Sequence, residues 1–228
     1  MASKRRSGPR SAAAAASRGA HYVLYLVTDV GLSRGRSHLS IVEAAIRGGV
    51  TIVQYREKRA STRRMIEEAA GLLGLCRAAG IPFIVNDRLD VALAVDADGV
   101  HVGQDDMPAS HVRPLLGRKK ILGVSAGSVE EALKAVDDGA DYIGASPVFS
   151  TPTKPDAPPP LGIEGLRRIT QAVEIPVVAI GGINEGNAAA MREAGAAGIA
   201  VVSAIVAAED VTEAARAVRA AVENVRAR

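Results

Sequence analysis

The chain has 228 residues, a formal net charge of +3, 48% hydrophobic residues, a single Cys and no Trp. That length suits one large domain, the scarcity of aromatics asks for a core of Ala, Val, Ile and Leu between strands and helices, and one Cys excludes an internal disulfide framework. The longest uncharged apolar stretch, 194–208, is shorter than the roughly 18 residues a membrane span needs, so no membrane partner is expected.

The positive charge is local. Residues 1–20 carry Lys4, Arg5, Arg6, Arg10 and Arg18 and no acidic residue; removing those five from 28 leaves 23 basic against 25 acidic side chains. The near-neutral remainder argues against a nucleic-acid partner. With its run Ala12 to Ala16, the tail reads as a disordered or start-site extension, a transit peptide being the sharper alternative. The expected organisation is a basic tail over 1–20 and one catalytic domain over 21–228. Cys76 reads as a small apolar helix residue and fits a reducing, cytoplasmic location.

In chain order, apolar runs alternate with stretches of helical period about eight times. Strands are predicted over 22–28, 52–56, 82–86, 99–103, 121–125, 142–145, 177–181 and 198–203. Helices are predicted over 38–47, 62–79, 89–95, a short stretch after Pro108, 129–138, 163–173, 185–194 and 211–225. Several helices end at glycine, as at Gly48-Gly49, Gly80, Gly139 and Gly195, and a strand follows within a few residues. Strands joined by helices run parallel, and the absence of a second domain or reversal point favours closure into a single (β/α)8 TIM barrel. The segment Ser146 to Leu161 holds six of the 11 prolines. An irregular stretch of that length predicts a loop that covers the site.

Polar clusters stand at the ends of the predicted strands, where a barrel builds its active site. Gln54, Arg56 and Lys58 alternate along an extended segment and share one side of it; a cation closing a buried strand asks for an anion. Asn86-Asp87 closes the third strand and Gln104-Asp105-Asp106 follows the fourth. Two carboxylates from neighbouring strand ends can share Mg2+, with substrate oxygens and water completing its shell. Taken singly, each aspartate would instead cap the helix that follows. Ser125 ends the fifth strand, and Thr151, Thr153 and Lys154 lie in the long loop. Gly181-Gly182 after the seventh strand, with Val202-Ser203 after the eighth, reads as a phosphate cradle of bare backbone amides. Two separated anion sites point to group transfer between two phosphorylated small molecules.

These residues form a larger pattern. Tyr25-Leu26-Val27-Thr28-Asp29, Gln54-Tyr55-Arg56-Glu57-Lys58, Val85-Asn86-Asp87, Gly99-Val100-His101-Val102-Gly103-Gln104-Asp105-Asp106, Gly123-Val124-Ser125, the stretch Pro147 to Lys154, Ile180-Gly181-Gly182-Ile183 and Val201-Val202-Ser203-Ala204-Ile205 resemble, in order and spacing, the thiamine phosphate synthases. The resemblance covers about residues 22–210. It implies a barrel enzyme, a transferase of a pyrimidinylmethyl group, that joins hydroxymethylpyrimidine diphosphate to a thiazole phosphate, with or without a carboxyl group, and releases diphosphate with the help of Mg2+. It also implies that Gln54, Arg56, Lys58, Asn86, Ser125 and Lys154 hold the pyrimidine diphosphate, with Arg56, Lys58, Lys154 and Ser125 the catalytic groups. Asp87 and Asp106 would bind the metal, and Thr151, Thr153, Gly182, Val202 and Ser203 the thiazole phosphate. Two positions depart from the pattern: Ala200, where many relatives have a polar residue, and Gly127, often His in the family and its relatives.

Two rival functions share the barrel. A thiazole tautomerase-like isomerase needs the phosphate cradle without diphosphate contacts or metal, and Arg56, Lys58, Asp87, Asp106 and Lys154 argue against it. A non-catalytic phosphate-ligand sensor would bind without releasing diphosphate. Whether copies of the chain assemble into a homo-oligomer is not legible in the sequence.

Overall fold

A computed structural model describes residues 20–151 and 158–224. Residues 1–19 of the expected basic tail lie outside the described residues, as do Thr153 and Lys154. Eight parallel strands close into a barrel in sequence order: β1 Leu24–Val27, β2 Ile52–Tyr55, β3 Phe83–Asn86, β4 Gly99–Val102, β5 Ile121–Ala126, β6 Tyr142–Ala145, β7 Val177–Ile180 and β8 Gly198–Val201. Each strand pairs with its sequence neighbours, and β8 closes on β1 through Leu24 opposite Ile199 and Leu26 opposite Val201.

Helices cover the outside of the barrel: α1 His38–Arg47, α2 Thr62–Ala79, α3 Leu89–Ala94, α4 Ala109–Leu116, α5 Val129–Asp137, α6 Gly162–Ala172, α7 Ala188–Glu193, α8 Ser203–Val206 and α9 Val211–Glu223. Short polar side chains start several of them. Ser37, Ser61, Ser128 and Asp210 each accept a hydrogen bond from the backbone N–H three residues on, satisfying one of the amides that a helix start leaves without a partner. The expected glycine stops hold as well, with φ between +68° at Gly80 and +94° at Gly49.

Alternation along the strands makes two cores. Val53, Tyr55, Phe83, Val85, Val100 and Ile199 pack outward against the helices in the larger one. Tyr22, Tyr25, Ile52, Ile84, Tyr142, Val178 and Ala200 fill the barrel interior. Each fully buried Leu or Ile of the outer core contributes roughly 1.5–3 kcal/mol of transfer free energy, which the cost of ordering the chain largely offsets. Cys76 is buried in α2, and burial pushes its thiol up to about 12, as befits a packing residue.

Four predicted boundaries shift by two residues or more; the last helix ends at Glu223 instead of 225. The first strand starts at Leu24, because 20–22 form a short helical turn that turns Tyr22 into the barrel. The eighth strand ends at Val201, and Ser203 opens α8 instead of ending the strand. The predicted helix 185–194 is shorter, Ala188–Glu193, because Asn184 and Asn187 close a hydrogen-bonded turn before it. No helix among the described residues is long and apolar enough to cross a membrane.

Candidate active site

A cavity of about 430 Å³ opens at the C-terminal ends of the strands, within the range of small-molecule sites. Gln54, Arg56, Lys58, Asn86, Asp87, Asp106, Ser125, Thr151, Gly182, Val202 and Ser203 all line it, although 149 positions separate the first from the last. Of the predicted site residues, Thr153 and Lys154 fall outside the described residues. Gln104 lines the cavity too, and its Nε2 donates to the Ser125 backbone O at 2.6 Å, tying the ends of β4 and β5 together.

β2 presents Gln54 to the interior and Tyr55 to the helices; the chain leaves the strand at Arg56. Arg56 does not wait unpaired for an anion, as its strand-end position suggested. Its Nη1 donates to Asp29 Oδ2 at 2.6 Å, while its backbone N–H donates to Thr28 Oγ1 at 3.0 Å. Asp29 is not a wall of the cavity, so it holds the guanidinium from behind, and among the described residues no other side chain takes up its remaining donors. Lys58 pairs with Asp87.

The helix-cap reading of the two aspartates fails. α3 is preceded by Arg88 and α4 by Pro108, neither supplying a side-chain cap. Asp87 instead sits in the left-handed region at φ +60°, with its backbone N–H donating to His101 O at 2.8 Å. A non-glycine residue held there marks local constraint, and here it aims a carboxylate into the cavity. Asp106 Oδ2 accepts the Gly103 N–H at 2.7 Å. Burial and then the neighbouring Asp87 raise the Asp106 pKa above the ordinary carboxylate range. Two carboxylates side by side in the cavity, with Lys58 the cation beside them among the described residues, form a donor set that suits a hard divalent cation, whose charge offsets theirs.

Across the barrel, Gly181 and Gly182 have φ of +104° and +66°. The sequence suggested that bare backbone lets an anion approach; packing supplies a second reason. A Cβ on Gly181 would stand 2.7 Å from Pro147 Cβ, and one on Gly182 would stand 2.8 Å from Phe149 Cβ and Ser150 O. The loop after β6 lies directly on the glycines, its Val148 and Phe149 N–H groups donating to Ile180 O and Gly181 O. The far end of the same loop returns through Leu161 N–H to Pro147 O. Both ends of the predicted covering loop are therefore anchored, and its centre, 152–157, lies outside the described residues.

Sequence reasoning missed the floor. Tyr25, His101 and Tyr142 line the bottom of the cavity and are hydrogen-bonded to one another and to Gln54 and Ser125. The available signal was a glycine inside each of β5 and β6, Gly123 and Gly144, which in a strand interior marks the close approach of another group. Gly127 is not a wall of the cavity; its N–H donates to Glu131 Oε2 at 2.7 Å.

A (β/α)8 barrel with paired acidic and basic groups at one rim and a glycine turn at the other defines a class of barrel enzymes for phosphorylated small molecules. The sequence pattern of the family described as thiamine monophosphate synthase matches residues 24–205, and the chain belongs to that family. A thiamine-phosphate synthase of Chloroflexus aurantiacus is 68% identical over 199 residues, covering 87% of this chain and 92% of the relative. One of Methanocella arvoryzae is 51% identical, covering 90% of this chain and 97% of the relative. The solved structure of thiamine phosphate pyrophosphorylase from Pyrococcus furiosus superposes with a TM-score of 0.85 at 45% identity, covering 92% of this chain and all of that one. A 3-hexulose-6-phosphate synthase, at 19% identity and a TM-score of 0.65, shares the fold.

Proposed function

We infer that this chain is a transferase that joins hydroxymethylpyrimidine diphosphate to a thiazole phosphate, forming thiamine phosphate and releasing diphosphate. The single observation that carries the reading is the convergence of Arg56, Lys58, Asp87 and Asp106 at one rim of a cavity whose opposite rim is the Gly181-Gly182 turn. Two anionic groups can thus be held apart with the reacting atoms between them.

Gln54, Asn86 and Ser125 would orient the pyrimidine, while Arg56 and Lys58 grip its diphosphate. The family resemblance adds Lys154 to that grip. As the C–O bond breaks, its electron pair leaves with the diphosphate, and charge grows on oxygens that these cations already face; such contacts strengthen towards the transition state and so lower the barrier. Asp87 and Asp106 would hold Mg2+, which when bound neutralises charge on the departing diphosphate. The thiazole nitrogen then forms the C–N bond to the pyrimidinylmethyl carbon, and no general base is needed. The backbone of Gly182 and Ser203, with Val202, Thr151 and Thr153, would fix the thiazole phosphate so that this nitrogen faces the carbon, which is where proximity contributes.

Incubation with both substrates and Mg2+ tests the reading. Diphosphate and thiamine phosphate should appear in equal amounts, and both should vanish with a chelator or when the thiazole phosphate is omitted. Binding of the thiazole phosphate without diphosphate release would favour a sensor instead.

A further inference from the structure

The barrel interior contains an unbroken chain of hydrogen bonds. Gln54 Nε2 donates to Tyr25 Oη at 3.0 Å, Tyr25 Oη meets Tyr142 Oη at 2.9 Å, Tyr142 Oη meets His101 Nδ1 at 2.8 Å, and His101 Nε2 meets Ser125 Oγ at 2.9 Å. Tyr25, Tyr142, His101 and Gln54 are all buried. Room for it is cut into the neighbouring strands: a Cβ on Gly123 would stand 2.2 Å from Tyr142 Cζ and 2.4 Å from His101 Nδ1, and one on Gly144 would stand 3.0 Å from His101 Cε1. Glycine weakens a strand, so two in adjacent strands, Gly123 against both rings and Gly144 against His101, indicate that the rings are the reason for them.

We propose that Tyr25, Tyr142 and His101 are positioning residues that set the hydrogen-bond polarity of the cavity floor, so that Ser125 presents its hydroxyl hydrogen and Gln54 its carbonyl oxygen to the pyrimidine ring. This rests on the assignment of the pyrimidine to this end of the cavity. The polarity follows from counting hydrogens. Gln54 supplies the first donor, so the Tyr25 hydrogen passes to Tyr142 and the Tyr142 hydrogen to Nδ1. Both phenols are buried with no charged partner among the described residues and keep their hydrogens, so the one that Tyr142 passes on makes Nδ1 the acceptor. A neutral imidazole that accepts at Nδ1 donates at Nε2, which occupies a Ser125 lone pair and leaves the serine hydrogen free. An aminopyrimidine edge has the complementary pattern, an amino donor beside a ring-nitrogen acceptor. The reverse polarity would offer that edge a donor where it needs an acceptor.

Two measurements test this. Imidazole nitrogen NMR on the full chain, with the His101 signal identified by its loss in His101→Gln, should show the Nε2–H neutral tautomer from about pH 8 to about pH 6. An Nδ1–H tautomer, or a ring that gains its second proton in that range, overturns the proposal. Kinetically, His101→Leu should raise KM for the pyrimidine diphosphate roughly tenfold, equivalent to about 1.4 kcal/mol, with kcat and the thiazole phosphate KM nearly unchanged. In a Ser125→Ala background the same substitution should cost less than about twofold, because the group it acts through is gone. Equal losses in both backgrounds contradict the proposal. If His101→Leu does not fold, His101→Gln, whose amide can still donate to Ser125, serves in the same cycle with partial recovery expected. A wild-type chain that releases no diphosphate refutes the assigned reaction, and the tautomer still decides the polarity of the floor.

Discussion

Arg56 and Asp29 form an ion pair at 2.6 Å from the ends of β2 and β1, both largely shielded from solvent, with Arg56 facing the cavity and Asp29 behind it. The pair holds the cation before any ligand arrives. Asp29→Asn keeps an acceptor for the Leu32 N–H but puts an NH2 where Oδ2 accepts from Arg56, so it removes both the charge and that hydrogen bond. Stability should fall by about 1–2 kcal/mol, less than the cost of breaking a fully buried pair. Adding the pyrimidine diphosphate should narrow the difference in melting temperature from wild type, since the ligand supplies the missing anion. A gap that stays constant under saturating ligand would show that Arg56 does not face the diphosphate.

Asp106 gives a pH signature. Burial and the Asp87 carboxylate raise its folded pKa, so the folded state binds more protons than the unfolded chain between the unfolded value and the folded one. Stability therefore declines as pH rises through that window, and at neutral pH an ionised Asp106 is a net cost. Without divalent cations, Asp106→Asn should melt at a higher temperature than wild type at pH 7, with the advantage gone below about pH 3.5. The same variant should lose Mg2+-dependent turnover. A variant less stable than wild type at neutral pH would remove the electrostatic part of this account.

Gly182→Ala addresses the other rim. The residue has φ +66°, and the new methyl would press on Phe149 Cβ and Ser150 O at 2.8 Å. A strain of about 1–3 kcal/mol should displace the turn and raise KM for the thiazole phosphate tenfold or more, with little change for the pyrimidine diphosphate. Equal effects on both substrates would place the thiazole phosphate elsewhere.

His101 produces the opposite pH trend in stability. Its folded pKa of about 4 lies below the ordinary histidine value, because burial disfavours the imidazolium. Between the two values the unfolded chain binds the extra proton, so this contribution is complete above about pH 6.5 and is lost as pH falls towards 4. Denaturant titrations over that range should show a component in wild type that His101→Gln lacks.

Much of the barrel was legible because alternation of short apolar runs with capped helices is local information. Ser37 and Ser61 start helices over the predicted ranges 38–47 and 62–79, and Gly80 stops the second. The rim residues were legible because closure sends every strand end to one face, so Gln54 and Ser203 meet without any local signal that they should. What stayed hidden depends on contacts between distant segments. Nothing near Arg56 in the sequence announces Asp29, 27 positions away. The left-handed Asp87, the loop packed on Gly182 and the tyrosine-histidine floor likewise exist only once the strands are in register.

We propose that Asp87 and Asp106 together create a metal site that operates with the bound diphosphate. Titration of Mn2+, as a paramagnetic stand-in for Mg2+, into the full chain saturated with pyrimidine diphosphate measures it directly. Wild type should bind one ion per chain more tightly than the free diphosphate does, and Asp87→Ala combined with Asp106→Ala should reduce binding to that of the free ligand while the circular dichroism spectrum is unchanged. Undiminished ion binding in the double variant would contradict the account.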